Sequence, residues 1–426
     1  MTGRFKCGSK VVKTTEIEIT NLLPPESNVS ELNHEVSVDP VAALDRFLDL
    51  AKIPGISGQE ADVAARIVES LRAAGLPESQ IQFDDANTRT RISGNCGNLI
   101  VTLPGNGRGP RTMLSAHMDT VPICVGSEPV IEGDEVISAA ATGLGADDRS
   151  GCAAILTAVI ERLKRGDENF SPAVVCFLIQ EEIGLEGAKN LSVDRVGQVD
   201  QAFNFDGGTV EKLTIGAIGG QRMMIELTGI PAHAGVAPQA GASAIVMAAR
   251  AIADLDERGW HGKIENEYGV GTANVGVING GDATNVVTPK VTIRAEARSH
   301  DATMRTRIVS EIEAAFAKAA AMVTNDKGHS GSLKFESRVD YESFKLDAEH
   351  PSIKLAHDAV KSVGREPFVD VANGGLDANW LFRHGIAAVT MGCGQRNIHT
   401  ADERLSIADY QDACKIATQL ITVSNQ

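Results

Sequence analysis

The sequence predicts an α/β protein: a mostly parallel sheet with helices on both faces, interrupted by a smaller α+β sandwich. Three observations carry this. Short, continuous Val/Leu/Ile runs such as AVVCFLIQ (173–180) suit strands buried on both faces, as parallel strands are. These runs alternate with helical patterns, the strand–helix–strand rhythm of a parallel sheet. Between residues 217 and 343 the texture changes to strands of alternating polarity, half exposed, and then changes back.

Along the chain, residues 1–38 lack periodicity, include the polar stretch PPESNVSEL, and read as an N-terminal extension. From Pro40 the pattern is helical. VAALDRFLDLAKI makes one helix and EADVAARIVESLRAAG another, with Val63, Ile67 and Leu71 on one face and Gly75 as a stop signal. TMLSA (112–116) is a strand that ends at His117. GCAAILTAVIERLKRG (151–166) is a helix, and AVVCFLIQ and AFNF (202–205) are strands. Residues 39–216 join 344–426 in the larger domain. The second part holds the helix PSIKLAHDAVKSVG, the strand GIAAVTMG and the closing helix SIADYQDACKIATQLITVSN. The intervening 217–343 reads strand–helix–strand–strand–helix–strand, which suits an inserted sandwich. Its helix segment IVMAARAIADL has an apolar face for the sheet or for a partner.

Composition narrows the function. A formal charge of −16 with no basic footprint argues against a nucleic-acid or anionic-membrane partner. No run approaches the roughly 20 apolar residues of a membrane span. The polar start MTGRFKCGSKVVKTTEIEITN has no apolar signal core. Seven scattered cysteines without a C-x-x-C fit free thiols in a reducing cytoplasm better than disulfides or a structural zinc site.

Ligands of open α/β sheets gather at the carboxyl ends of the strands, so the residues just beyond each strand matter. His117-Met118-Asp119 comes after TMLSA. GLGADDRSG, with Asp147 and Asp148, comes after the stretch 136–142. Glu181 and Glu182 come after AVVCFLIQ, Asp206-Gly207-Gly208 after AFNF, and GQRNIHTADE with His399 after GIAAVTMG. Taken singly, such residues are ordinary solvated acids or hydrogen-bonded histidines. His34, His261, His300, His329, His350, His357 and His384 have no comparable setting and keep that reading. Five successive element ends presenting imidazole or carboxylate suit Zn²⁺ and, less well, Mn²⁺ or Co²⁺. Two ions sharing a carboxylate would neutralise that many anions, which would otherwise raise one another's pKa values. Glu181 and Glu182 sit where a strand gives way to a loop, so alternation along the strand is expected to aim them differently.

The motifs SAHMDTVP, GLGADDRSG, LIQEEIGLEGA, FNFDGG and NIHTADE resemble the ordered set of the M20 metallopeptidases, and within them the peptidase T (tripeptide aminopeptidase) branch, from about residue 40 to the C-terminus. The resemblance implies a zinc-peptidase-like catalytic domain with an inserted lid and two divalent metal ions. His117 and Asp206 would bind one ion, Glu182 and His399 the other, and Asp147 would bridge them, with a cis peptide after it. Asp119 would orient His117 and Glu181 would be the general base; which glutamate does which rests on the resemblance. Arg149 stands where the family often has Lys. In the lid, GIPAHAGVAP carries His233, matching a histidine that polarises the scissile carbonyl, often in a partner's site. Asn285 and Arg298 resemble substrate-contacting residues, with Arg294 a competitor for the substrate carboxylate, which a planar guanidinium grips with two parallel bonds. NGGLDANW (373–380) is either a Gly-rich substrate loop or a structural turn. Glu186 reads as a loop or helix-start acid.

The expected activity is removal of the N-terminal residue of short peptides by a cytoplasmic enzyme, with a homodimer through the lid possible. The same metal centre also serves deacylases of N-acyl amino acids and carboxypeptidases. A non-catalytic protein that keeps the fold would have lost Glu181 or a ligand.

Overall fold

The computed structural model describes residues 36–105, 108–166 and 170–422. Residues 1–35 of the expected extension, with Cys7 and His34, lie outside the described residues. The first helix, Pro40–Ala51, begins with Asp39 accepting from the amides of Val41 and Ala42 and with proline as its first residue, a start signal worth about 1 kcal/mol. The next, Ala61–Ala73, buries Val63, Ala64, Ile67, Val68 and Leu71.

The larger core surrounds a nine-stranded sheet. In spatial order it runs Ile81–Phe83, Leu99–Leu103, Ala173–Leu178, Thr112–His117, Gln201–Phe205, Ala388–Met391, Lys212–Ala217 and Phe344–Lys345, with Phe368–Ala372 beside Lys212–Ala217. The four central strands are parallel to one another, and antiparallel pairs flank them on both sides, apart from Phe368–Ala372, which lies parallel to Lys212–Ala217. Register aligns the carboxyl ends: His117 pairs with Leu178 and Met391 with Phe205. The segments beyond these strands therefore emerge along one edge. Behind them the helix Ala146–Arg165, buried nearly all round as far as Arg162, packs against Thr112–His117 and the closing helix Ile407–Ile421.

One expectation needs correction. The strand at 135–138 is not part of the main sheet. It belongs to a separate sheet ordered Gln395–Arg396, Arg404–Ser406, Glu135–Ser138, Pro129–Glu132. Asp147 is therefore presented by the start of the helix Ala146–Arg165, not by a strand end. The small sheet brings that helix start near the loop 397–403, because Arg396 pairs with Arg404 across it and Leu405 with Val136.

A second hydrophobic core, from Met223 to Ala320, includes Ile225, Leu227, Ile293, Ile308 and Phe316. Its antiparallel sheet is ordered Gly262–Asn266, Gly269–Gly280, Lys290–Ser299, Gly219–Thr228, Ser332–Tyr341. The helices Ala244–Glu257 and Ala302–Met322 pack on it and on each other. Met247, Ala248, Ala251 and Leu255 of the first helix face inward. The edge strand Gly262–Asn266 was not expected; only Ile264 in it is buried, so it leaves no hydrophobic period to read. The chain passes between the two cores at Ile218 and Glu342. Asn379 Nδ2 donates to both carbonyls, at 3.1 and 2.7 Å.

Candidate functional site

His117, the last residue of its strand, is buried. Its Nδ1 lies 3.0 Å from the Asp119 carbonyl oxygen and 3.4 Å from Asp119 Oδ1. The backbone carbonyl is thus the nearer acceptor, and it leaves Nε2 as the free ligand atom. That Nε2 is 3.1 Å from Asp147 Oδ1. The other oxygen, Asp147 Oδ2, is 3.1 Å from His399 Nε2, which is also 3.1 Å from Glu182 Oε1. Ligand atoms of His117, Asp147 and Glu182 lie within 4.8 Å of one another, as do those of His117, Asp148 and Asp206. All five residues expected to bind metal converge. The Asp147–Asp148 peptide is cis.

The donor set fits divalent cations. Two ligands of a tetrahedral zinc, each at 2.0–2.2 Å, stand roughly 3.4 Å apart, close to the 3.1 Å separations observed. Charge agrees. Burial and the charge of Asp147 push Asp206 up to about 7, and burial raises Glu182. Burial also raises Glu181 well above the usual carboxylate range. Asp147 behaves oppositely: against the effect of burial, hydrogen bonds from His117 and His399 hold it low. Those same contacts, with Asp147 first and Glu182 second, lift His399 to about 10. So dense an anionic cluster favours multivalent cations.

The two glutamates are aimed by a turn. Their strand ends at Leu178, and Gln180 adopts a left-handed φ of 52°. Strand alternation therefore does not set their directions. Instead the buried Asp119 accepts from the Glu181 amide at 2.9 Å and the Glu182 amide at 3.2 Å, and from Ser57 Oγ at 2.6 Å. Asp119 thereby locates His117 through its backbone carbonyl and both glutamates through its carboxylate.

A model of Peptidase family M20/M25/M40 matches residues 113–423, more than two thirds of the chain. The chain belongs to this family. The uncharacterized protein YqjE of Bacillus subtilis (strain 168) is 33% identical over 381 residues, 89% of this chain and 97% of its own. A tripeptidase structure from Staphylococcus aureus subsp. aureus Mu50 superposes with TM-score 0.81 at 27% identity, covering 91% of this chain and 98% of that one. Aminopeptidase PepT from Bacillus cereus ATCC 10987 gives TM-score 0.78 at 30% identity, covering 90% and 98%.

Other residues of this M20 protein also shape the site. Glu403, buried, accepts from the amides of Gly145 (2.8 Å) and Asp147 (3.0 Å). Asp148 is spent on the amides of His117 (3.2 Å) and Gly151 (3.1 Å) and on Gln395 Nε2 (2.8 Å). Asp377, in the Gly-rich segment 373–380, is fully buried with neither oxygen paired, and burial pushes it up to about 8. The buried Arg149 holds the carbonyls of Ile53 (3.4 Å) and Gly55 (3.2 Å). Glu186 accepts from Arg91 Nε at 2.8 Å at a helix start, in keeping with its structural reading. Beside Asp206, a cavity of about 250 Å³ is lined by Leu376, Met391, Ile398, Thr214 and Thr390 among others.

The residues of 217–343 expected to meet the substrate make their hydrogen bonds within that segment. The exposed His233 accepts from the Gly235 amide at 3.2 Å. Its loop joins that of Asn285, whose carbonyl accepts from the Ala234 amide at 2.9 Å. Arg298 is half-buried, and its fork is engaged by Glu296, with Nε–Oε1 3.0 Å and Nη2–Oε2 3.1 Å. Arg294 is exposed on the same strand. These hydrogen-bond partners all belong to the second core and not to the metal cluster. Among the described residues no helix is long and apolar enough to cross a membrane.

Proposed function

We propose that this M20 peptidase is a two-metal aminopeptidase that removes the N-terminal residue of short peptides, tripeptides above all. The observation that carries the two-metal reading is Asp147, whose two oxygens each face a different imidazole. His117, Asp206 and Asp147 would hold one ion; Glu182, His399 and Asp147 would hold the other. Asp147 suits the bridge better than Asp148, whose oxygens accept from the amides of His117 and Gly151 and from Gln395. Zn²⁺ suits two imidazoles with carboxylates best, with Mn²⁺ or Co²⁺ as substitutes. The peptide substrate class is supported by the solved tripeptidase and PepT structures that the chain resembles at 27% and 30% identity.

Cations bound here would supply Lewis acidity, polarising the scissile carbonyl and making a water acidic enough to attack. Glu181, held by Asp119, takes the proton of the attacking water and returns it to the leaving amine. Its elevated affinity for protons suits both halves of that transfer. His233 donates to the developing oxyanion once the segment 217–343, acting as a lid, closes over the cleft or over a partner's cleft. Arg298 exchanges Glu296 for the substrate carboxylate, and Asn285 contacts the peptide. The cavity beside Asp206 takes a side chain of the substrate.

Tyr268, Val270 and Ile278, exposed on the second core, offer apolar contacts for a dimer. The thiols described, Cys96, Cys124, Cys152, Cys176, Cys393 and Cys414, are unpaired, which suits the cytoplasm. The two-metal reading is tested by stripping the protein with a chelator, titrating Zn²⁺ or Mn²⁺ back, and following both bound metal and tripeptide hydrolysis. Activity that returns with two ions per chain supports it. Full hydrolysis by metal-free protein refutes it.

A further inference from the structure

We infer that Glu60 is a positioning residue for catalysis: it fixes the backbone turn that aims Glu181 at the reacting centre. The inference rests on the reading of Glu181 as general base. Glu60 lies on the segment between the first two helices, far in sequence from every ligand. It is completely buried. Its Oε1 accepts from the Gln180 amide at 3.0 Å and from the Gly58 amide at 2.8 Å. Asp119 takes the next two amides, of Glu181 and Glu182. Three consecutive N–H groups at the end of the strand are thus held by two carboxylates from elsewhere in the chain.

The same segment serves both. Ser57 donates to Asp119 Oδ2 at 2.6 Å, and Glu60, three residues on, holds Gln180. The segment is itself tied down from beneath: Thr120 donates its amide to the Gly55 carbonyl at 3.0 Å, and Arg149, two residues from Asp147, reaches that carbonyl at 3.2 Å. What the strap restrains is an unfavourable turn. Gln180 is a non-glycine residue at φ 52°, a conformation that persists only where surrounding contacts over-determine it. Its other restraints are a bond from its side chain to Thr90 Oγ1 at 3.2 Å and one from the Glu186 amide to its carbonyl at 3.0 Å. Without the acceptor at Glu60, the Gln180 amide is left buried and unpaired, the turn relaxes and Glu181, next to it, shifts, while Glu182 one residue further keeps its amide bond to Asp119 and its contact with His399.

The test compares Glu60→Ala, Glu60→Gln and Glu60→Asp in the metal-loaded protein, with Glu181→Gln run alongside. Steady-state kinetics on a tripeptide, metal content and thermal unfolding are measured for each. Because a displacement of about 1 Å can cost roughly 100-fold in rate, Glu60→Ala is expected to lose roughly 30- to 100-fold in kcat, with KM within about two-fold and both metals retained. Glu60→Gln keeps an acceptor oxygen in place and recovers most of that loss. Glu60→Asp keeps the charge but withdraws the oxygen, and stays impaired; this Gln/Asp comparison decides the matter even if the Ala variant does not fold. The inference is overturned if Glu60→Ala turns over normally, if its loss merely tracks lost metal or lost fold, or if Asp rescues and Gln does not. An active Glu181→Gln would instead overturn the reading of Glu181 as base.

Discussion

At the scale of single residues, carboxylates proposed for different jobs have different surroundings. Glu181 and Glu182 are neighbours, yet Glu182 lies 3.1 Å from His399 and burial leaves Glu181 unusually basic. Replacing Glu181 with Ala should therefore keep both metals and lose about 10²- to 10⁴-fold in turnover; an active, metal-replete variant would refute the assignment. His399→Ala should mainly lower metal content, measured by elemental analysis. Asp206, pushed up to about 7 by burial and by the charge of Asp147, carries a proton below that pH, and ligands must be deprotonated to bind. Metal affinity should thus weaken as pH falls through 7, with proton release on binding visible by calorimetry in buffers of different ionisation heat. An affinity unchanged between pH 8 and 6 would contradict this. The convergence of the five proposed ligands was legible in the sequence because His117, Glu182, Asp206 and His399 lie beyond apolar strands and Asp147 sits in a motif of its own. Glu60, Glu403 and Asp377 were not, since a buried carboxylate that accepts from backbone amides, or from nothing, leaves no pattern in one sequence.

At the scale of elements, parallel pairing explains why those ligands meet. Four strands that run the same way bring their carboxyl ends to one edge. The exception is informative. Asp147 comes from a helix start, held in place by Glu403 across the small sheet. Glu403→Ala should therefore weaken metal binding 10- to 100-fold, the usual cost of losing a group that orients a ligand, although Glu403 touches no metal. Competition with a chelator measures it; an unchanged affinity would show that the helix start needs no such brace. Most helices and several buried strands were legible from their apolar patterns, but the buried strands Leu99–Leu103 and Lys212–Ala217 were not read. The strand Gly262–Asn266, with one buried side chain, was not, and neither was the sheet to which 135–138 belongs, because short strands do not encode their partners.

At the scale of the whole molecule, the described residues form two hydrophobic cores, and all the proposed metal ligands belong to the segments around the first. Metal should stabilise that part alone, by about 4 kcal/mol at a free concentration 1,000 times Kd. Calorimetry with and without chelator should then shift one thermal transition and leave a second in place; two transitions moving together would mean the cores unfold as one. The change of texture at 217–343 coincides with the span of the separate antiparallel sheet, Gly219 to Tyr341. The posture of its residues was not: Arg298 is engaged by Glu296 and His233 is exposed, and side-chain pairing of this kind is settled only in three dimensions. Closure of this segment is what the proposed reaction requires of the molecule.

The claim that the protein is an aminopeptidase is tested most directly by which bond it cuts. Metal-loaded protein is incubated with Leu-Gly-Phe, with its N-acetylated form and with N-acetyl-leucine, and the products are identified by mass spectrometry. The account predicts leucine and Gly-Phe from the free tripeptide and no cleavage of the two blocked compounds. Release of phenylalanine with Leu-Gly, or hydrolysis of N-acetyl-leucine alone, would contradict it.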